Sequence, residues 1–283
     1  MDITAFTANR KTLTAPGGDI AYTEFGDGPA ALFVHGLATS GALWRNVIGQ
    51  LAPVSRCVAI DLPAHGGSQP RKDASVAGMA DMVAELCDGL GLAEVDLVGN
   101  DTGGAVAQIF AARHPERLRS LTLTNCDTEG NFPPPDFAPI VETARRGRLA
   151  PVLAAIAGDP AQWAAGPLAV GYQEPSRVPE EVWRAYYTSA GGTIERALQF
   201  ERVLAALDPA DLSAAQAGLA ALTVPTLIVW GTADETFDVK WAQQLRSLIP
   251  GAQDVIEING AKLFFPEERP ADLVPHLRRF WNR

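Results

Sequence analysis

Residues 95–108 join two kinds of sequence through one tight turn. Val95, Leu97 and Val98 form an apolar, β-branched run that reads as a short buried strand. From Ala105 to Gln108 the chain is Ala-rich and favours helix. Between them stands Gly99-Asn100-Asp101-Thr102-Gly103. Glycines on both sides remove Cβ atoms where strand and helix nearly touch. The central residue of such a turn is held in an unfavourable backbone conformation, and its side chain projects over the strand ends. The first amides of the helix lie beside it and favour an anion. A carboxylate so placed suits nucleophilic attack through an ester on the enzyme. The plainer reading is a strand–helix turn with an incidental Asp near the helix N-cap. The surrounding chain decides between them.

Read in order, residues 12–25 alternate around Gly17-Gly18 and predict a hairpin of two strands. Residues 30–34 are a continuous apolar run, as in a central parallel strand, and end in His35-Gly36-Leu37. An amphipathic helix is expected over 44–51. A strand over 56–60 leads into Asp61-Leu62-Pro63-Ala64-His65-Gly66-Gly67-Ser68. A helix over 75–90, the turn strand with its helix, and a strand over 121–125 follow. Repeated strand–helix alternation specifies an α/β fold with a parallel sheet, whose ligands bind at the carboxyl ends of strands. His35, Asp101 and Asp127 all fall there. Residues 129–222 contain Pro133-Pro134-Pro135 and helical stretches but no convincing strand. The sheet pattern returns at 224–231, with a last strand at 255–258 and a last helix at 273–281. The domains are therefore expected to be a core of 1–127 and 223–283, and a helical lid of about 128–222 over the strand ends.

A net charge of −10 with scattered Lys and Arg argues against a nucleic-acid partner. No apolar run approaches the length of a membrane span, and no secretory leader is read at the N-terminus. Cys57, Cys87 and Cys126 are an odd set without paired spacing, which fits buried free thiols in a reducing, cytoplasmic setting. No metal-ligand cluster and no cofactor motif is present in the sequence; Gly99 to Gly104 lack dinucleotide-binding spacing. The expected partner is a small molecule, with no membrane partner.

Gly99-Asn100-Asp101-Thr102-Gly103 matches the spacing of a nucleophile elbow, with aspartate where serine usually stands. Together with His35-Gly36, the 61–68 segment and Trp230-Gly231-Thr232-Ala233-Asp234, it resembles the α/β-hydrolase superfamily over nearly the whole chain. The aspartate resembles the branch containing haloalkane dehalogenases and epoxide hydrolases. The implied fold is a mostly parallel central sheet flanked by helices, with a helical lid inserted after the sixth strand. By that resemblance Asp101 is the nucleophile and Asp234 the triad acid. The backbone N–H groups of Leu37 and Thr102 form the oxyanion hole, and His35 is a structural residue of the oxyanion loop. Ala64 replaces a usual glycine.

The resemblance also exposes departures. It expects a histidine after the last strand, and this chain has Gly260-Ala261-Lys262-Leu263-Phe264-Phe265-Pro266, with Leu263 in that place. Dehalogenases of the branch hold halide with a Trp and an Asn where Thr102 and Leu37 stand here. Epoxide hydrolases of the branch use lid tyrosines as acids, which makes Tyr172, Tyr186 and Tyr187 candidates; the plainer reading of Tyr186 and Tyr187 is helix packing. Lys262, Asp234, Asp127 and Asp101 itself are the groups that remain as substitute bases, and Asn100 flanks the turn. Without an imidazolium between Asp101 and Asp234, one carboxyl is expected to stay protonated near neutral pH unless Lys262 points inward. Three functions follow. One is a hydrolase acting on an apolar epoxide-, ester- or alkyl-halide-like molecule through Asp101. Another is a degenerate hydrolase that binds a small molecule. The third is a lyase or isomerase with Asp101 as base.

Overall fold

The computed structural model describes residues 1–282. Eight strands form one sheet: β1 (Arg10–Leu13), β2 (Ile20–Phe25), β3 (Ala30–Val34), β4 (Arg56–Ile60), β5 (Val95–Asp101), β6 (Leu118–Cys126), β7 (Thr226–Gly231) and β8 (Ile256–Ile258). Their spatial order is β1-β2-β4-β3-β5-β6-β7-β8. β1 and β2 form the expected antiparallel hairpin, and β2 joins β4 antiparallel. Every later pairing is parallel. β3, β5 and β7 are buried along their whole length apart from Asp101, as strands in a sheet covered on both faces should be.

The helices before the sixth strand are α1 (Ile3–Ala8), α2 (Arg45–Leu51), α3 (Val76–Gly89) and α4 (Thr102–Arg113). Those between β6 and β7 are α5 (Ala138–Arg145), α6 (Ala150–Ala157), α7 (Glu180–Gly191), α8 (Ile194–Ala205) and α9 (Pro209–Ala220). The remainder are α10 (Val239–Leu248), α11 (Phe265–Glu268) and α12 (Pro270–Trp281). α1 and α10 were not anticipated from the sequence.

Strand order reverses at β3, which has β4 on one side and β5 on the other. A crevice opens at such a reversal, beyond the carboxyl ends of the strands. The turns after β3 and β5 carry Leu37 and Asp101 to its two banks. α5 to α8 pack on one another and contribute walls to the cavity there. α9 behaves differently. It lies against α4, close enough that a Cβ on Gly218 would meet the Ala112 Cβ at 2.7 Å. The last part of the 128–222 segment thus flanks the core instead of covering the strand ends. Among the described residues, no helix is long and apolar enough to cross a membrane.

Candidate active site

Asp101 has φ 56° and ψ −135°, a backbone conformation costly for any residue with a Cβ. The neighbours enforce it. A Cβ on Gly103 would lie 2.3 Å from the His35 carbonyl oxygen, and one on Gly99 would lie 2.6 Å from the Gly103 carbonyl oxygen. β5 can therefore turn straight into α4 only with glycine at both places. The Asp101 side chain turns back toward the β3 loop. Its Oδ2 accepts the Leu37 N–H at 3.0 Å, and the neighbouring Thr102 N–H also favours the ionised carboxyl. A Cβ on Gly36 would stand 2.1 Å from that oxygen, so this glycine makes the approach possible.

Asp101 keeps part of its surface open, and that part faces the cavity instead of bulk water. The group is reachable by a ligand yet poorly hydrated. Burial pushes its carboxyl up to about 7; the Thr102 and Leu37 amides pull the other way, and Asp234 adds a smaller push. One raised carboxyl was expected from repulsion between Asp101 and Asp234. The larger cause is desolvation.

The loop holding Leu37 is fixed by two buried histidines. His35 Nδ1–H donates to the Gly36 carbonyl at 2.7 Å while Nε2 accepts the Leu62 N–H at 2.9 Å. His65 Nδ1–H donates to the Pro63 carbonyl and Nε2 accepts the Ala38 N–H at 3.0 Å. Both rings are fully occupied in clamping the 35–39 loop to the 61–68 loop. Burial lowers each to about 3, so both are neutral at physiological pH. His35 lies outside the cavity lining.

Asp127 follows β6, whose Cys126 pairs with Asp101 across the sheet. It lines the same cavity. Its Oδ2 accepts the Thr102 hydroxyl at 2.7 Å, and its Oδ1 is buried without a hydrogen-bond partner. Burial first, and the Asp101 charge second, raise it well above the usual carboxylate range. Asp234 follows β7 and is held by the Asn125 amide at 2.7 Å and by the N–H groups of Thr236 and Phe237. Burial raises it, and the Lys262 charge is among the influences that lower it. Asn125 and Gln108, whose amide donates to the Asp127 carbonyl at 2.8 Å, were not singled out from the sequence. Polar residues inside an apolar strand and an Ala-rich helix were the available signal.

The cavity encloses about 300 Å³. Leu37, Asp101, Thr102 and Asp127 form its floor, and Leu149, Leu153 and Ile156 of the β6–β7 segment are among its apolar walls. Leu263 lines it as well. The Leu263 carbonyl accepts the Asn100 amide at 3.0 Å, so Asn100 ties the last loop to the turn and does not itself reach the cavity. Lys262 turns away, with its ammonium 3.8 Å from the Glu235 carboxylate, and is not part of the lining. Tyr172 and Tyr186 are also outside it: both hydroxyls donate to Glu267, which is paired with Arg45. Burial and that carboxylate raise both phenols well above their ordinary value, and nothing directs them at a cavity ligand. They lock the β6–β7 segment to α2 and α11. Tyr187 is the tyrosine that lines the cavity, and its hydroxyl is engaged by the Trp163 carbonyl at 3.3 Å. Among the described residues no group of three or more His, Cys, Asp or Glu is arranged to hold a metal.

A mostly parallel sheet with a strained carboxylate turn beside its reversal, facing an apolar cavity, defines the class. Residues 29–269 match the alpha/beta hydrolase fold family, and the chain belongs to it. The haloalkane dehalogenase structure from Bradyrhizobium elkani superposes with a TM-score of 0.79 at 27% identity, over 96% of this chain and 97% of that one. Epoxide hydrolase 1 of Caenorhabditis elegans is 26% identical over 275 residues, 91% of this chain and 66% of that protein. The cis-3-alkyl-4-alkyloxetan-2-one decarboxylase of Shewanella oneidensis is 28% identical over 286 residues, 96% of this chain and 87% of that one. The chain is thus a hydrolase-fold enzyme related to all three groups.

Proposed function

We propose that the protein acts on a small apolar electrophile of epoxide, ester or alkyl-halide type, with Asp101 as nucleophile. The observation that carries this reading is the asymmetry of its carboxylate. Oδ2 is held by the Leu37 amide, while the side chain faces an apolar cavity. Oδ1 then attacks carbon, and Oδ2 becomes the carbonyl oxygen of the resulting ester. The Leu37 and Thr102 amides polarise that carbonyl toward water, the arrangement that stabilises an oxyanion. Asp234 takes the acid position of the family triad, and Leu263 the position of its histidine. Release of the ester therefore does not run through imidazole.

A second reading is favoured by that apolar Leu263. In a four-membered lactone, the substrate class in the decarboxylase's name, attack by Asp101 on the ring carbon bearing oxygen breaks that C–O bond and frees a carboxylate. Loss of CO2 then forms the alkene as the Asp101–carbon-oxygen bond breaks. Neither water nor a base takes part.

Intact-protein mass spectrometry after incubation with epoxides, alkyl bromides, activated esters and an oxetan-2-one tests both. An adduct mapping to Asp101, or product formation lost in Asp101→Asn, is expected. Alkene and CO2 from the oxetanone alone would select the second reading. Neither adduct nor product from any probe would leave a binding role.

A further inference from the structure

We infer that Asp127 is a catalytic residue, the proton donor to an oxygen leaving group, and that the site is built for an epoxide. This deepens the preceding reading and rests on it. Asp127 and Asp101 stand at the ends of adjacent strands and line one cavity. The Thr102 hydroxyl occupies Asp127 Oδ2 at 2.7 Å and leaves Oδ1 unpartnered although buried. A buried polar atom without a partner is costly, and a ligand in the cavity is what can satisfy it. The direction of its titration agrees, since burial and the Asp101 charge keep the proton on.

Leaving-group chemistry then selects the substrate. A halide departs without a proton, and so does the carboxylate released from a lactone. An alkoxide needs one. The Thr102 hydroxyl that flanks the nucleophile is committed to Asp127, so it orients the acid. Of the tyrosines expected to serve as acids, Tyr172 and Tyr186 are committed to Glu267, and the Tyr187 hydroxyl donates to the Trp163 carbonyl.

The steps balance. Asp101 Oδ1 bonds to an epoxide carbon, the ring C–O bond breaks with its electron pair on oxygen, and that oxygen takes the proton from Asp127. Asp127 is now a carboxylate beside the ester. Water adds to the Asp101 Cγ and gives a proton to Asp127, while the negative charge rests on Oδ2 at the Leu37 amide. Collapse expels the diol alkoxide, which takes the proton back from Asp127. The two carboxyl groups are left sharing one proton, as at the start. Asp127 thus supplies both the acid and the base, and its base form arises only after a proton has been given to the substrate.

This predicts a difference between two probes of equal length, 1,2-epoxyhexane and 1-bromohexane, in single-turnover mass spectrometry. In Asp127→Asn, alkylation of Asp101 by the epoxide should slow about a hundredfold or more, the usual reach of general acid catalysis. Alkylation by the bromide should stay within about twofold of wild type on the same argument. Wild type should release the epoxide product but accumulate the bromide adduct, because the bromide leaves Asp127 protonated. Asp127→Ala repeats the comparison if the amide variant folds poorly. Equal losses with both probes would assign Asp127 a structural role, and unchanged epoxide alkylation would overturn its role as acid. Equally fast release of both adducts by wild type would overturn its role as base. No Asp101 adduct or product from either probe would instead remove the reading of Asp101 as nucleophile.

Discussion

The turn after β5 and the loop after β8 both bring a side chain to the cavity, with opposite chemistry. At the first, every constraint serves a charge. Three close-packed glycines, a strained φ and the Leu37 amide converge on the Asp101 carboxylate. At the second the backbone is equally well held. The Leu263 carbonyl accepts the Asn100 amide, and the Phe264 N–H donates to the Gly171 carbonyl at 2.8 Å. The side chain these bonds deliver is nevertheless an apolar Leu263. The difference shows that the scaffold of a loop and the chemistry it presents vary independently. Hydrogen bonds through main-chain atoms fix where Leu263 sits, and none of them depends on its side chain.

The largest expected effect tests the charged side of this comparison. Asp101→Asn should abolish adduct and product together, a loss on the order of 10⁶-fold for a residue that is the nucleophile. Residual turnover near the wild-type rate would show that the polar turn is not the reacting group. The apolar side is tested by Leu263→His. If the docked backbone is competent, clearance of a preformed Asp101 ester should rise about a hundredfold to ten-thousandfold. An unchanged rate would mean that the loop differs in more than its side chain. Gly36→Ala asks whether the amide contact matters, since its Cβ would collide with Asp101 Oδ2. Alkylation is expected to fall about a hundredfold, as for loss of an oxyanion contact.

Stability against pH gives a smaller effect with opposite signs in neighbouring parts of the site. His35 and His65 are lowered from 6.5 to about 3, so the unfolded chain takes up their protons first. Their contribution is complete above about pH 6.5 and is lost as pH falls toward 3, by about 1.4 kcal/mol per pH unit for each. Asp101 is raised from 3.8 to about 7, so its contribution is complete below pH 3.8 and is lost as pH rises to 7. Denaturant unfolding at pH 5 and pH 8 should therefore show Asp101→Asn more stable than wild type at pH 8, by a few kcal/mol at about 1.4 kcal/mol per pH unit, with the gain shrinking at pH 5. Equal gains at both values would remove the case for a buried charge. The smallest effect belongs to the 61–68 loop. Ala64 has φ 62°, a left-handed conformation that glycine adopts without strain. Ala64→Gly should stabilise the protein by about 0.5 kcal/mol, the relief of left-handed strain less glycine's greater chain entropy.

Much of the architecture was legible in order of residues. Apolar runs marked β3, β5 and β7 because a strand buried on both faces needs no polar alternation, and Gly99 and Gly103 marked the turn because only glycine fits such an approach. The helices between β6 and β7 were less legible. Their apolar residues serve cavity, interhelix packing and core alike, so α9 read as part of the lid although it packs on α4. The same ambiguity applied to Tyr172 and Tyr186: a tyrosine in an apolar stretch does not reveal where its hydroxyl ends. Glu267, 95 and 81 residues away, decides that by accepting both.

The sequence by itself determined the order of elements, the turn at Asp101 and the apolar Leu263, because each depends on residues close together in the chain. Only the tertiary structure decided which side chains meet. It turned Lys262 outward to Glu235, spent His35 and His65 on the loop that holds Leu37, and set Asp127 with one unsatisfied oxygen beside Asp101. Those outcomes rest on contacts between distant segments and on the removal of water around them, and local sequence carries neither.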